Sequence, residues 1–169
     1  MDLGPYITGF VDGEGCFSVS FSLRKKMKLG VEVRPSFAVS QHSRNKDIIV
    51  RLQQYFHCGG VRFNKRDQNY KFEVRSTKDL IERVIPHFKK YPLQTSKASD
   101  FNNFEKVCLL VKSNHHLNQT GLEEILQLSE QINTTGNKRY KRDDLLRLIL
   151  GNREEVTRES EELHYKMKG

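Results

Sequence analysis

Between residues 16 and 23 the chain alternates, with Phe17, Val19, Phe21 and Leu23 on one parity and Cys16, Ser18, Ser20 and Ser22 on the other. A period of two predicts a strand with one face in a core and the other in water. The same alternation runs over 31–41, where Val31, Val33, Phe37 and Val39 oppose Glu32, Arg34, Ser36 and Ser40. Pro35 inside that run predicts an edge position or a bulge, because it has no N–H for a second neighbour. A third strand starts at Val61 and Phe63, with Arg62 and Asn64 facing away. In a fourth, Tyr70, Phe72 and Val74 oppose Lys71, Glu73 and Arg75. The basic stretch from Arg24 to Gly30 joins the first pair of strands, and Arg66-Asp67-Gln68-Asn69 forms the tip of the second hairpin.

Elsewhere the apolar period is that of a helix. Ile7, Phe10 and Val11 mark a short first helix opened by Pro5. Ile48, Ile49, Leu52, Tyr55 and Phe56 predict a helix from Asn45 to His57, stopped by Gly59-Gly60. Leu80, Ile81, Val84, Ile85 and Phe88 predict another from Thr77, with Pro86 marking a kink or the last turn. Further helices follow at Lys97 to about Lys112, Leu122–Ile132 and Asp143–Leu150, with a loop at Thr134-Thr135-Gly136-Asn137. The order is helix, two strands, helix, two strands, helices, which predicts an α+β fold with helices on one face of an antiparallel sheet.

At 169 residues the chain predicts one domain over 1–150 and a charge-dense tail over 151–169, read as a solvated helix. No apolar run approaches a membrane span, so a membrane partner is not expected. Cys16, Cys58 and Cys108 form no C-x-x-C pair, which argues against a disulfide framework or a zinc site. No basic, apolar-cored leader is evident, and an intracellular setting is expected. The net charge is +8, and its placement says more than its size. Residues 16–97 carry 18 Lys and Arg against 6 Asp and Glu, while residues 1–15 carry three acids and no base. The basic excess therefore lies in the predicted sheet, which suits a polyanion. Arg34, Arg62, Arg66, Lys71 and Arg75 gather with small polar residues on its outer face, flanked by Arg24, Lys26 and Lys28 and by Asn64, Gln68 and Asn69. A ribbon of strands carrying Arg, Asn and Gln can lie in a DNA major groove, where Arg matches guanine and Asn or Gln matches adenine.

The first helix holds the most unusual chemistry. Gly9 and Gly13 are four apart and share a side, leaving a bare strip for close approach by another helix. Phe10 lies beside that strip. Asp12 and Glu14 concentrate negative charge at the C-terminal end, where the helix dipole disfavours it. A divalent cation with oxygen ligands would explain that charge. A simple turn through Asp12-Gly13-Glu14-Gly15 into the next strand explains the residues as well. His115-His116 has no third ligand at suitable spacing and reads as a surface pair.

Residues 7–15, Ile-Thr-Gly-Phe-Val-Asp-Gly-Glu-Gly, resemble the signature of the LAGLIDADG homing endonucleases, with Thr8 and Gly13 in place of its two alanines and Glu14 as its last acid. The resemblance implies an αββαββα core whose four-stranded sheet forms a saddle over double-stranded DNA. It implies a metal-dependent endonuclease that cuts a long, near-palindromic site, with Mg²⁺ or another divalent ion such as Mn²⁺ or Ca²⁺. Glu14 and the Gly13 carbonyl would hold the metal, and Asp12 would finish the helix. Gln41 resembles a water-positioning residue, with an exposed strand-end glutamine as the alternative. Lys97 resembles the family's lysine near the scissile phosphate, with an ordinary first-turn residue as the alternative. Only one copy of the signature is present, which in this family implies a homodimer packed through Gly9, Phe10 and Gly13. Maturases share the fold, so an RNA-binding intron maturase, or a DNA-binding module without cleavage, is the alternative function. The family habit of intron encoding implies a mitochondrion or chloroplast.

Overall fold

The computed structural model describes residues 2–134, 136 and 140–150; Thr135 and Asn137 of the predicted loop, and the predicted tail helix, lie outside the described residues. Helix α1 (Gly4–Glu14) leads directly into β1 (Gly15–Leu23), followed by β2 (Val31–His42) and α2 (Lys46–Phe56). Strands β3 (Gly60–Asn64) and β4 (Asn69–Val74) form the second hairpin. A helical stretch then runs through α3 (Thr77–Asp79), a π turn (Leu80–Val84) and α4 (Ile85–Lys90). Helices α5 (Lys97–Lys112), α6 (Gln119–Glu130) and α7 (Arg142–Ile149) complete the described chain. The sheet is antiparallel in the order β1-β2-β4-β3. The predicted α+β class and the αββαββα order are both present.

Pro35 is reconciled by register. It pairs with Val19 of β1, but pairing between β2 and β4 begins only at Phe37. At Pro35 the central strand is locally an edge, where a missing N–H costs no ladder bond. Pro86 is accommodated by the π turn. The Ile85 N–H reaches back to the Leu80 carbonyl, and Pro86 falls in the first turn of α4, where no intrahelical N–H is required. Helix α6 starts earlier than its apolar residues alone predict, because Asn118 Oδ1 accepts the Gly121 N–H at 2.8 Å and caps it. Gly59 holds φ +75°, and a Cβ there would stand 2.8 Å from the Glu73 carbonyl oxygen. The turn into β3 therefore needs glycine twice over, for its backbone angle and for its closeness to β4.

The core is aromatic. Phe17 stacks on Phe37 at 5.2 Å and meets Phe88 edge-on at 5.4 Å. Phe56, Phe72, Phe101 and Phe104 surround them. These rings join the inner face of β1, β2 and β4 to α2, α4 and α5, so the helices cover one face and leave the other to solvent. Phe63, on edge strand β3, is exposed and packs against Tyr70 at 4.8 Å.

One polar chain crosses this core. Thr8 Oγ1 donates to the Tyr91 carbonyl at 3.0 Å, so it accepts from His87 Nε2 at 3.1 Å. That leaves His87 Nδ1 to accept from the Tyr55 hydroxyl at 3.0 Å. A neutral imidazole suits all three bonds, and the network ties α1 to α2 and to the end of α4. Burial pushes the His87 pKa down to about 4, against the upward pull of the Asp2 charge. The unfolded chain takes up this proton near the ordinary value of about 6.5, before the folded one does. The stabilisation is therefore complete above about pH 6.5 and is lost as pH falls towards 4, by up to about 3 kcal/mol. Denaturant titrations from about pH 7.5 to pH 4.5 are expected to show this steep loss in the wild type and a shallower one in His87→Gln.

Candidate nucleic-acid interface

The site begins where α1 becomes β1 without an intervening loop. Gly15 is already extended (φ −79°, ψ 157°), while its N–H still bonds to the Val11 carbonyl of the last helical turn. A Cβ on Gly15 would lie 2.5 Å from Val11 Cγ1 and 2.8 Å from the Val11 oxygen, so glycine alone fits this sharp conversion. The turn predicted through residues 12–15 is therefore absent: Asp12, Gly13 and Glu14 are helical, and Gly15 alone makes the change to strand.

The two acids separate clearly. Asp12 Oδ2 accepts the Gln94 N–H at 2.7 Å, and Oδ1 accepts the Thr95 hydroxyl at 2.7 Å. Partial burial raises its pKa, but the bonds from Gln94 and Thr95 outweigh that effect and lower it overall. Asp12 thus fastens the segment before α5 to the end of α1. Glu14 is exposed and has no hydrogen-bond or ion-pair partner among the described residues. Lys97, in the first turn of α5, donates from Nζ to the Gly15 carbonyl at 2.5 Å. That ammonium sits at the junction itself, bound to the carbonyl of the residue that follows Glu14.

Gln41 arrives by strand register. Gly15 pairs with Val39, and Gln41 lies two residues further along β2, beside the end of α1. It continues the inward parity of β2, is half-buried, and accepts a bond from Asn45 Nδ2 at 3.0 Å. Glu14, Gln41 and Lys97 therefore share one end of the sheet. No group of three or more His, Cys, Asp or Glu able to hold a metal exists among the described residues. An unpaired carboxylate beside the Gly13 carbonyl offers the hard oxygen donors that suit Mg²⁺. His115 and His116 lie in a short 3₁₀ turn after α5, away from this junction in the fold.

The outer face is ordered in rows across the strands. Ser40, Lys71 and Arg62 form one row, and Cys16, Ala38, Glu73 and Gly60 form the next. Ser18 faces Ser36, Ser20 faces Arg34 and Ser22 faces Glu32 beyond them. Arg75 follows the end of β4. Lys26 and Lys28 stand exposed in the β1–β2 connection. Arg66 and Gln68 occupy the hairpin tip, not the sheet face. There the Gln68 side chain donates to the Lys65 carbonyl and Asn64 bonds Asp67 Oδ2 and the Arg66 N–H, so both amides shape the turn. Asn69 pairs with His42 and Asn64 at the same end.

Two acids on this face were left without a role by the sequence. Glu32 binds Arg34 at 2.7 Å and Arg24 at 2.8 Å. Glu73 binds Lys71 at 2.8 Å, Arg75 at 2.9 Å and Arg62. Burial raises the Glu73 pKa, but Lys71 and Arg75 bring it below the ordinary carboxylate value. The signal was present: Glu32-x-Arg34 and Lys71-x-Glu73-x-Arg75 place opposite charges on one strand face at a spacing of two.

The sequence model of the LAGLIDADG endonuclease family matches residues 7–108. A protein of Neurospora crassa named probable intron-encoded endonuclease 3 is 31% identical over 133 residues, which is 78% of this chain and 25% of its own length. The crystal structure of the homing endonuclease I-TnaI superposes with a TM-score of 0.77 at 37% identity, over 89% of this chain and 98% of that one. I-SmaMI bound to uncleaved DNA target in the presence of calcium ions superposes with a TM-score of 0.75 at 30% identity, over 79% of this chain and 45% of that one. The chain thus spans about a quarter of the Neurospora relative and nearly all of I-TnaI.

The Asp12 bonds make a clear forecast. Asp12→Ala should destabilise the fold by about 1 kcal/mol, because bonds to two N–H groups and a hydroxyl that fix the segment before α5 are exchanged for bonds to water. A thermal melt checks this; a ligand role for Asp12 would instead remove activity and leave the melt unchanged.

Proposed function

This chain belongs to the LAGLIDADG endonuclease family, and on that premise we propose that it is a site-specific double-strand DNA endonuclease. It acts as a homodimer on a long, near-palindromic site with a divalent metal, Mg²⁺ in the cell. The observation that carries this reading is the free Glu14 carboxylate, held at the end of a bare helix beside a basic sheet. An unpaired acid facing phosphates would hinder a pure binder, which disfavours a cleavage-inactive module.

The geometry of α1 supports the dimer. A Cβ on Gly9 or Gly13 would meet nothing within 4 Å inside the chain, so neither glycine is required by this fold itself. Leu3 and Tyr6 are exposed and Phe10 is half-buried near the same strip. Two copies pressed together about a twofold axis bury this surface and bring both Glu14 residues to one place. Each chain then completes the partial ligand set of the other.

Glu14 and the Gly13 carbonyl hold the metal, which when bound supplies Lewis acidity and an activated water. Lys97, anchored on the Gly15 carbonyl, sets a fixed positive charge beside the phosphate as negative charge builds on it. Gln41 orients water at the same end of the sheet. Arg24, Lys26 and Lys28 contact phosphates and make affinity fall with salt, while Arg34, Arg62, Lys71 and Arg75 face base edges. The intron-encoded Neurospora relative supports an intron as the source.

Two results are expected. Glu14→Gln should lose cleavage of the selected site by about a hundredfold or more while still binding it in Ca²⁺; a wild type that binds and never cuts in Mg²⁺ defeats the enzyme reading. Gly9→Leu should still fold, since a Cβ there meets nothing within the chain and a helix interior favours Leu over Gly by up to about 1 kcal/mol, which offsets part of the stability lost with the dimer. The same variant should sediment as a monomer and lose cleavage.

A further inference from the structure

Glu73 lies in the middle of the proposed DNA-reading face, and its surroundings are unlike those of any other acid on it. Its neighbours in the row are Ala38 on one side and Gly60 on the other. With so little side chain beside it, the carboxylate sinks to the floor of the sheet and is 7% exposed. The cations bound to it stay in water: Arg62 is 61%, Lys71 41% and Arg75 60% exposed. Lys71 occupies Oε1, and Arg62 and Arg75 share Oε2. With both oxygens occupied and recessed, Glu73 is poorly placed to accept from a cytosine amino group itself.

What it does control is how the cations are presented. Arg75 is held through Nε, which leaves both terminal amino groups for an acceptor pair such as guanine O6 and N7. Arg62 is held through Nη2 alone. A long cationic side chain that is already ordered loses less entropy on binding, and it is less free to turn to the nearest phosphate. One buried negative charge under three cations also lowers the net charge of the patch without hiding it.

We propose that Glu73 is a positioning residue for base specificity, a recessed carboxylate that fixes Arg62, Lys71 and Arg75 for guanine edges and restrains their indiscriminate attraction to phosphate. This rests on the DNA-binding reading above.

The test uses a randomised duplex library, bound in Ca²⁺ so that nothing is cut. Wild type, Glu73→Gln and Glu73→Asp are then titrated against the site selected by wild type and against a scrambled duplex, across a KCl series. Glu73→Gln should bind the scrambled duplex more tightly, with a salt slope steeper by up to about one. Its preference for the selected site should fall about tenfold or more, the worth of one misplaced guanine fork. Glu73→Asp keeps the charge but has a shorter reach, so its salt slope should match wild type while its preference falls; it carries the test if Glu73→Gln fails to fold. A merely structural ion pair would lower the melting temperature and leave preference and slope alone. Folded variants with wild-type preference and slope overturn this inference only. A wild type that selects no site overturns the DNA-binding reading together with it.

Discussion

No residue separates α1 from β1, and much of the molecule's arrangement depends on that abrupt join. Gly15 is both the last hydrogen-bonded partner of the helix and the first residue of the strand. A loop there would let the helix end swing relative to the sheet. The direct junction, fastened by Asp12 to Gln94 and Thr95 and by Lys97 to the Gly15 carbonyl, fixes Glu14 against the register of β1 and β2. A functional side chain must hold its position within about 0.5 Å, and a rigid join between two regular elements is a direct way to secure that.

Behind the junction, the sheet divides its labour by face. The inner face is a close-packed aromatic layer with one hydrogen-bonded polar chain through His87. Packing energy there is insensitive to salt and to whatever sits on the other side. The outer face is free to carry charge because the strand period sends every second residue away from the core. Stability and recognition are thus built on alternate residues of the same strands, which lets the outer residues vary without disturbing the rings beneath.

The outer face is not uniformly basic. Glu32 and Glu73 each gather cations that would otherwise repel one another. The more exposed pairs of Glu32 add little to stability, while those of Glu73 satisfy a carboxylate that is itself buried. Their weight lies in order: a guanidinium held at one end presents a defined edge at the other. The small residues Ala38 and Gly60 beside Glu73 make this possible by letting the carboxylate lie below the groups it holds.

The sequence by itself determined the strands, the helices and their order, because burial on one face imposes a period that the order of apolar and polar residues reveals. Phe17, Val19, Phe21 and Leu23 announce β1, and Pro5, Ile7, Phe10 and Val11 announce the helix before it, without any coordinates. Tertiary structure decided what depends on distant partners. Asp12 and Glu14 are both acids at one helix end, and only the segment 94–95, some eighty residues away, makes one structural and leaves the other free. Pro35 could be judged only from where β4 begins to pair, and the early start of α6 from what Asn118 caps. The cation cluster on Glu73 needed the register of the β3–β4 hairpin, which sets Arg62 and the bare Gly60 beside the carboxylate. Local periodicity reports which way a side chain faces; which group waits there is set by register between strands, and register is a property of the folded chain.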